Sequence, residues 1–229
     1  MDKNLTVTKH NDLIEASYKL SLNEQRLVLV ACSKINSFDA VPDSIRITVN
    51  DYVEAFGVDV RNAAAQLRSA AKRLYNRDIG INNTSVDEQD RHVRWIQERA
   101  RYKDGSVEIV WSDRVKEYLG ELSGHFTSYK LTQVSGLKSV YTIRLFELLQ
   151  QFNDSGWRQV ELVWLRKYLD LGDSYPRFAQ FQQSVLGPAV KELNAKTNLI
   201  VEVDRIKTGR QITALKFRFK EDDQLKMDV

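Results

Sequence analysis

The chain is poor in the residues that most reaction chemistry needs. Among 229 residues there is one cysteine, Cys32, set in an apolar helical stretch, so neither an intrachain disulfide nor a cysteine metal cluster can form. A reducing cytoplasm fits that usage. Histidine is almost as scarce, and His10, His92 and His125 stand too far apart in the chain for a His-x-His or His-x-x-x-His metal pair. No Gly-Lys dipeptide occurs, which removes the phosphate-cradling P-loop. Apolar runs stay well short of the roughly 20 residues that a membrane-spanning helix needs, and the polar stretch Met1 to Asn11 shows no targeting segment. The expectation is a cytoplasmic protein with no membrane contact, no catalytic residue, no metal and no cofactor.

What is present is enough apolar material for real cores. A hydrophobic content of 42%, with 10% aromatic residues, supports one large domain or two of ordinary size. The net charge of +3 is too small to hold nucleic acid by charge alone, but it is unevenly distributed. From Arg177 to Lys220 there are nine basic residues (Arg177, Lys191, Lys196, Arg205, Lys207, Arg210, Lys216, Arg218, Lys220) against three acidic (Glu192, Glu202, Asp204), a net +6. From Glu221 to Val229 the chain turns acidic and loses hydrophobic period, which reads as a solvated tail.

Element signals then fall in a repeated order. Ser21 and Glu24 form a capping box ahead of Leu27, Val28, Ala31 and Ile35, predicting a helix from about Leu22 to Asn36. Ile45, Ile47 and Val49 alternate as a short strand. Asn50 is the expected cap of a short helix through Phe56, Gly57 supplies a turn, and Asp59 opens a helix striped by Ala63, Leu67, Ala70, Ala71 and Leu74. Ile79 to Ile81, Val93 to Tyr102 and Val107 to Trp111 read as a three-stranded meander, with the polar run Asn82 to Asp90 in between and a turn at Lys103 to Ser106. A hairpin after a helix-turn-helix is a wing. Ser112 caps a helix to about Leu122, and the domain boundary is expected between Gly120 and Gly124, giving domains 1–124 and 125–220 with a tail 221–229.

The second half follows the same plan. Leu137, Tyr141, Leu145, Leu148 and Phe152 stripe a helix; Val160 to Val163 is either a short strand or a lead into the helix ending near Leu171. Phe178 to Leu193 is helical, with Gly187-Pro188 either kinking the helix or starting a new one. Val201 and Val203 alternate inward, Lys207 to Arg210 turns, and Leu215, Phe217 and Phe219 return. The fold class is α+β, two tandem winged-helix domains.

The outward face of the Asp59 helix carries Arg61, Asn62, Gln66, Arg68, Ser69, Lys72 and Arg73. Asn and Gln pair with adenine edges and Arg with guanine in a major groove, although the same residues make an ordinary solvated face. The Gly-punctuated helix pair before it and the hairpin after it favour double-stranded DNA. The turn Arg205 to Arg210 suits a wing touching phosphate. The acidic Asp87, Glu88 and Asp90 fit a solvated loop better than a metal site. Leu13, Leu20 and Leu27 are spaced by seven, but three leucines fall short of sustained heptads and fit core packing better than a zipper. The His-hydrophobic-His site of rolling-circle nicking enzymes and the His-x-x-Arg element of tyrosine recombinases are both absent.

Several strings, in order, resemble a known family. Asn11 to Leu27 (NDLIEASYKLSLNEQRL), Tyr52 to Gly57 (YVEAFG), Ala70 to Tyr75 (AAKRLY), Arg94 to Ile96 (RWI), Phe126 to Leu131 (FTSYKL), Tyr141 to Leu149 (YTIRLFELL) and Val185 to Asn194 (VLGPAVKELN) are similar to landmarks of the iteron-binding plasmid replication initiators. The resemblance implies binding to directly repeated origin sites as a monomer, melting of adjacent duplex, and a dimer that represses its own gene at an operator inverted repeat. It also implies host initiator and replicative helicase as partners. On this reading Asp59 to Tyr75 and Arg177 to Lys196 are the two readers, the latter with Arg177, Gln182, Gln183, Ser184, Lys191 and Lys196, supported by Arg205, Lys207 and Arg210. Leu13, Leu20 and Leu27 lie in the region tied to the monomer–dimer switch. Relatives often place basic residues just before the Val-Leu-x-Pro-Ala string, where this chain has Gln182, Gln183 and Ser184. That exchange weakens phosphate binding while leaving glutamine able to read adenine. A tandem winged-helix transcriptional repressor, bound to a palindrome as a permanent dimer, is the competing reading.

Overall fold

Two side chains that cap each other's backbone open the first long helix. In the computed structural model, which describes residues 5–81 and 91–221, Glu24 Oε2 accepts from Ser21 N–H at 2.7 Å and Ser21 Oγ from Glu24 N–H at 3.5 Å. The first elements are β1 (Thr6–His10), α1 (Asn11–Glu15), α2 (Leu22–Cys32), β2 (Ile45–Ile47), α3 (Val49–Phe56) and α4 (Val60–Leu74). Helix α2 stops at Cys32, short of the expected Asn36. Helix α3 is capped by Thr48 rather than Asn50. Thr48 Oγ1 accepts from Asp51 N–H at 3.0 Å while the Asp51 carboxylate accepts from Thr48 N–H at 2.8 Å. This second capping box draws Val49 into the helix instead of the strand. Gly57 ends α3 in the left-handed region, and Asp59 caps α4 through Arg61 N–H at 2.9 Å.

The chain continues through β3 (Asp78–Gly80), β4 (His92–Arg94), β5 (Ile96–Arg101), β6 (Val107–Trp111), α5 (Asp113–Lys116), β7 (Phe126–Lys130) and α6 (Thr132–Ser135). The expected meander is divided. Strands β3 and β4 form their own pair, whereas β5 and β6 join β2 in a sheet of order β2-β6-β5. The break falls at the fully buried Trp95, whose N–H goes to Arg77 O and whose carbonyl accepts from Ser112. Regular helix after Ser112 ends at Lys116, not near Leu122.

Helices α2, α3 and α4 pack on one another, and α4 also meets β5 and β6. Leu27, Val28, Tyr52, Leu67, Leu74, Ile47, Ile109 and Trp111 fill the core between them. Burying one such leucine contributes roughly 1.5–3 kcal/mol.

The domain boundary differs from the expected one. Strand β1 pairs antiparallel with β7, Thr6 opposite Lys130 and His10 opposite Phe126. Those backbone hydrogen bonds tie residues 126–130 to the first unit, so it ends at Gly136 and the second begins at Leu137.

The second unit comprises α7 (Val140–Gln150), β8 (Trp157–Glu161), α8 (Leu162–Tyr168), α9 (Phe178–Phe181), α10 (Gly187–Lys196), β9 (Leu199–Thr208) and β10 (Gln211–Glu221). A π-helical turn, Gln182–Leu186, joins α9 to α10. Gly187-Pro188 therefore does not start a separate helix; the chain widens by a residue and continues. Leu145, Leu149, Leu165, Phe181, Leu193, Leu215 and Phe217 form this core. The sheet order is β8-β10-β9. In both units a helix, a strand, two helices and a hairpin follow in sequence, and in both sheets the third strand lies between the first and the second. Both units have the winged-helix plan. The run Asn82 to Asp90, with its acidic cluster, and the tail beyond Glu221 lie outside the described residues.

Candidate nucleic-acid interface

Helix α4 buries Ala63, Leu67, Ala70, Ala71 and Leu74, which leaves Arg61, Asn62, Arg68, Ser69, Lys72 and Arg73 exposed on its far side, with Gln66 half-buried at the flank. Ala65, also exposed, sits in the middle of that face. These residues differ in what they are free to do. Arg61 is folded onto the helix cap, its Nη2 2.6 Å from Asp59 Oδ2. The Arg61 side chain and backbone N–H hold the Asp59 carboxyl below the usual aspartate range. Arg73 turns back toward α2, with Nη2 3.3 Å from Ser21 Oγ and Nε 3.8 Å from Glu24. Arg68 and Lys72 have no ion-pair partner among the described residues.

Just beyond α4, Arg77 Nε donates to the fully buried Glu24 carboxylate at 2.9 Å. Burial pushes that carboxyl up, but hydrogen bonds from Arg77 and Ser21 outweigh it and hold the group below the ordinary glutamate range. The end of α4 is thereby fixed to the start of α2.

The β5–β6 hairpin flanks this face and supplies cations that the sequence reading left unassigned. Arg99, Arg101 and Lys103 are exposed along it, and the Arg99 guanidinium lies 5.7 Å from the Tyr75 ring centre at the end of α4. Its tip is held against the helix pair, since a Cβ on Gly105 would come within 3.0 Å of Val49 and 3.1 Å of Ala64. Arg46 braces the same turn, donating to Asp104 at 2.9 Å and Ser106 at 3.0 Å while lying 4.0 Å over the Tyr102 ring. The period of β5 gave no signal for Arg99 and Arg101, because past Ile96 the strand is exposed on both faces.

In the second unit the candidate reader is the continuous helix from Phe178 to Lys196. Arg166 sets its start, donating to the carbonyls of Ser174 at 2.6 Å and Tyr175 at 2.8 Å in the preceding loop. Arg177, Gln183, Ser184 and Lys191 are exposed, whereas Gln182 is half-buried. Lys196 is committed to Glu192 at 2.8 Å, and Glu192 also accepts from Thr142 Oγ1 and Lys138 N–H. Beside the helix, the β9–β10 hairpin exposes Arg205, Lys207 and Arg210, with Gly209 making the turn in the left-handed region. Arg205 lies 5.3 Å over Phe178, which ties hairpin to helix.

Leu13, Leu20 and Leu27 are all in the core, at 1%, 5% and 0% exposure. Their role in core packing, rather than in a zipper, is as the sequence indicated. Among the described residues no group of three or more His, Cys, Asp or Glu can hold a metal, and no helix is long and apolar enough to cross a membrane.

Two units of winged-helix plan in one chain agree with two family models. The model of the initiator replication protein first winged-helix domain covers residues 6–150, and that of the initiator Rep protein second winged-helix domain covers residues 161–219. The chain belongs to the replication initiator family. It is 27% identical over 230 residues to an Escherichia coli replication initiation protein, covering 96% of this chain and 71% of that one. It is 30% identical over 231 residues to an E. coli protein described only as a 27.6 kDa protein, covering 92% and 93%. The crystal structure of the Pi initiator protein in complex with iteron DNA shares the fold, with a TM-score of 0.82 at 22% identity over 97% of this chain and all of that one.

Proposed function

We propose that this replication initiator binds directly repeated origin sites, iterons, as a monomer, with α4 and the Phe178–Lys196 helix entering successive major grooves. The observation that carries the reading is the duplicated plan, an exposed helix face with free cations beside a basic hairpin in each unit. Basic side chains fix register on the phosphates, and Asn62, Ser69, Gln183 and Ser184 face base edges. If Arg68, Lys72, Lys191, Arg205, Lys207 and Arg210 each neutralise one phosphate, the logarithm of affinity falls against that of salt with a slope of about −5. Repeated occupancy strains and opens neighbouring duplex, after which a host initiator and the replicative helicase are recruited. A dimer formed through the first unit represses the gene at an inverted repeat, with Leu13, Leu20 and Leu27 in the region tied to the monomer–dimer switch. No covalent chemistry is needed. The relative solved with iteron DNA supports the choice of ligand.

The test is selection of bound fragments from DNA flanking the gene, followed by footprinting and sizing of the complexes. Tandem direct repeats with one monomer each support the reading. A lone palindrome held only by a dimer makes the protein a repressor, and nicking of supercoiled plasmid with divalent metal makes it a nuclease.

A further inference from the structure

We propose that the π-turn in the second reader helix converts a backbone group, the Gln183 carbonyl, into a base-reading acceptor for an exocyclic amino group of cytosine or adenine. This rests on the reading of that helix as a major-groove element. In a regular helix each carbonyl accepts from the N–H four residues on. Here Gly187 N–H goes five residues back, to Gln182 O. The Gln183 carbonyl loses that donor, and the next N–H along the widened turn belongs to Pro188, which has none. It is left without a helical partner on an exposed turn, because Gln183 and Ser184 are both exposed.

The turn is built in. A Cβ on Gly187 would stand 2.7 Å from Gln182 O, so only glycine fits there, while Val185, Leu186 and Ala189 are buried and pin both halves of the helix. Pro188 itself is exposed. Its main effect falls on the backbone, where it withholds a donor. The Gln182 amide lies back over Gly187, its Nε2 3.2 Å from where that Cβ would be. Major-groove edges of cytosine and adenine offer N4–H₂ and N6–H₂ as donors, and an unused carbonyl matches either. π-turns inside helices often mark functional positions.

The test compares the wild type with Pro188→Ala, which restores an N–H at an exposed position and favours helix. Duplexes carrying the footprinted repeat are made with purine for one adenine, or 2-pyrimidinone for one cytosine, at each position in turn. The wild type should lose about 3- to 10-fold in affinity when one particular amino group is removed, the value of a single neutral hydrogen bond. Pro188→Ala should bind the natural repeat weaker by a similar factor and be indifferent at that position, with an unchanged or higher Tm; Pro188→Ser, carrying the same N–H, should behave alike. The same penalty in the wild type and both variants overturns the inference while leaving the function intact. A wild type with no sequence-selective duplex binding overturns both.

Discussion

Replacing Glu24 with glutamine removes one charge from the place where α4 is fastened to α2, and keeps the shape of the capping box. The carboxylate is fully buried and accepts from Arg77 Nε at 2.9 Å and Ser21 N–H at 2.7 Å, with Arg73 at 3.8 Å. A hydrogen bond to a charged group contributes about 1.5–3 kcal/mol. Arg77 is 37% exposed, so its share is discounted toward the roughly 0.2–1 kcal/mol of solvent-screened pairs. Glu24→Gln should therefore cost about 1–2 kcal/mol at pH 7, a fall in Tm of roughly 2–8 °C. The pH dependence has a definite sign. The folded carboxyl titrates below its unfolded value, about 4.3, so the contribution is fully present above that pH and is lost as pH falls through the lower folded value. Urea unfolding of both proteins between pH 7 and pH 3 reads this directly. Wild type and variant should differ by a constant amount down to about pH 5 and converge below it. Parallel curves across the whole range, or a difference under about 0.5 kcal/mol at pH 7, would refute the role assigned to this cluster.

Other substitutions separate fastening from DNA contact. Lys72→Ala or Arg210→Ala should weaken binding to all repeats alike and reduce the salt slope by about 1 each, with Tm unchanged; an unchanged slope in titrations from low to high salt denies the phosphate contact. Arg73→Ala should do the reverse, lowering Tm through Ser21 and Glu24 while leaving the slope alone. Gln183→Ala should relax preference at one position of the repeat in fragment selection, and a selected sequence identical to that of the wild type removes Gln183 as a base reader.

Local signals survived folding where they had a local cause. The Ser21–Glu24 capping box, the Asp59 cap, the stripe from Ala63 to Leu74 and the Leu215-Phe217-Phe219 alternation all appear as expected, because each rests on hydrogen bonds or periodicity within one element. What the sequence hid was non-local. Strand β1 has only Val7, Thr8 and Lys9 buried and owes its existence to β7 at the far end of the unit, so neither it nor the boundary after Gly136 was legible. Thr48 with Asp51 is itself a local capping pattern, and the alternation through Val49 obscured it. In the candidate interface, composition could not distinguish Lys72, which has no ion-pair partner among the described residues, from Arg61, Arg73 and Lys196, which are already bonded within the protein. Arg99 and Arg101 escaped because an edge strand exposed on both sides shows no alternation, and Lys103 lies in the turn beyond it.

The most direct measurement is hydroxyl-radical footprinting of one repeat with the wild type, Lys72→Ala and Arg210→Ala. Two readers on one monomer predict two protected segments centred about one helical turn apart, roughly 10 base pairs, with Lys72→Ala thinning one segment and Arg210→Ala the other. A single protected segment weakened equally by both substitutions, or protection that requires two copies on a palindrome, would contradict the account.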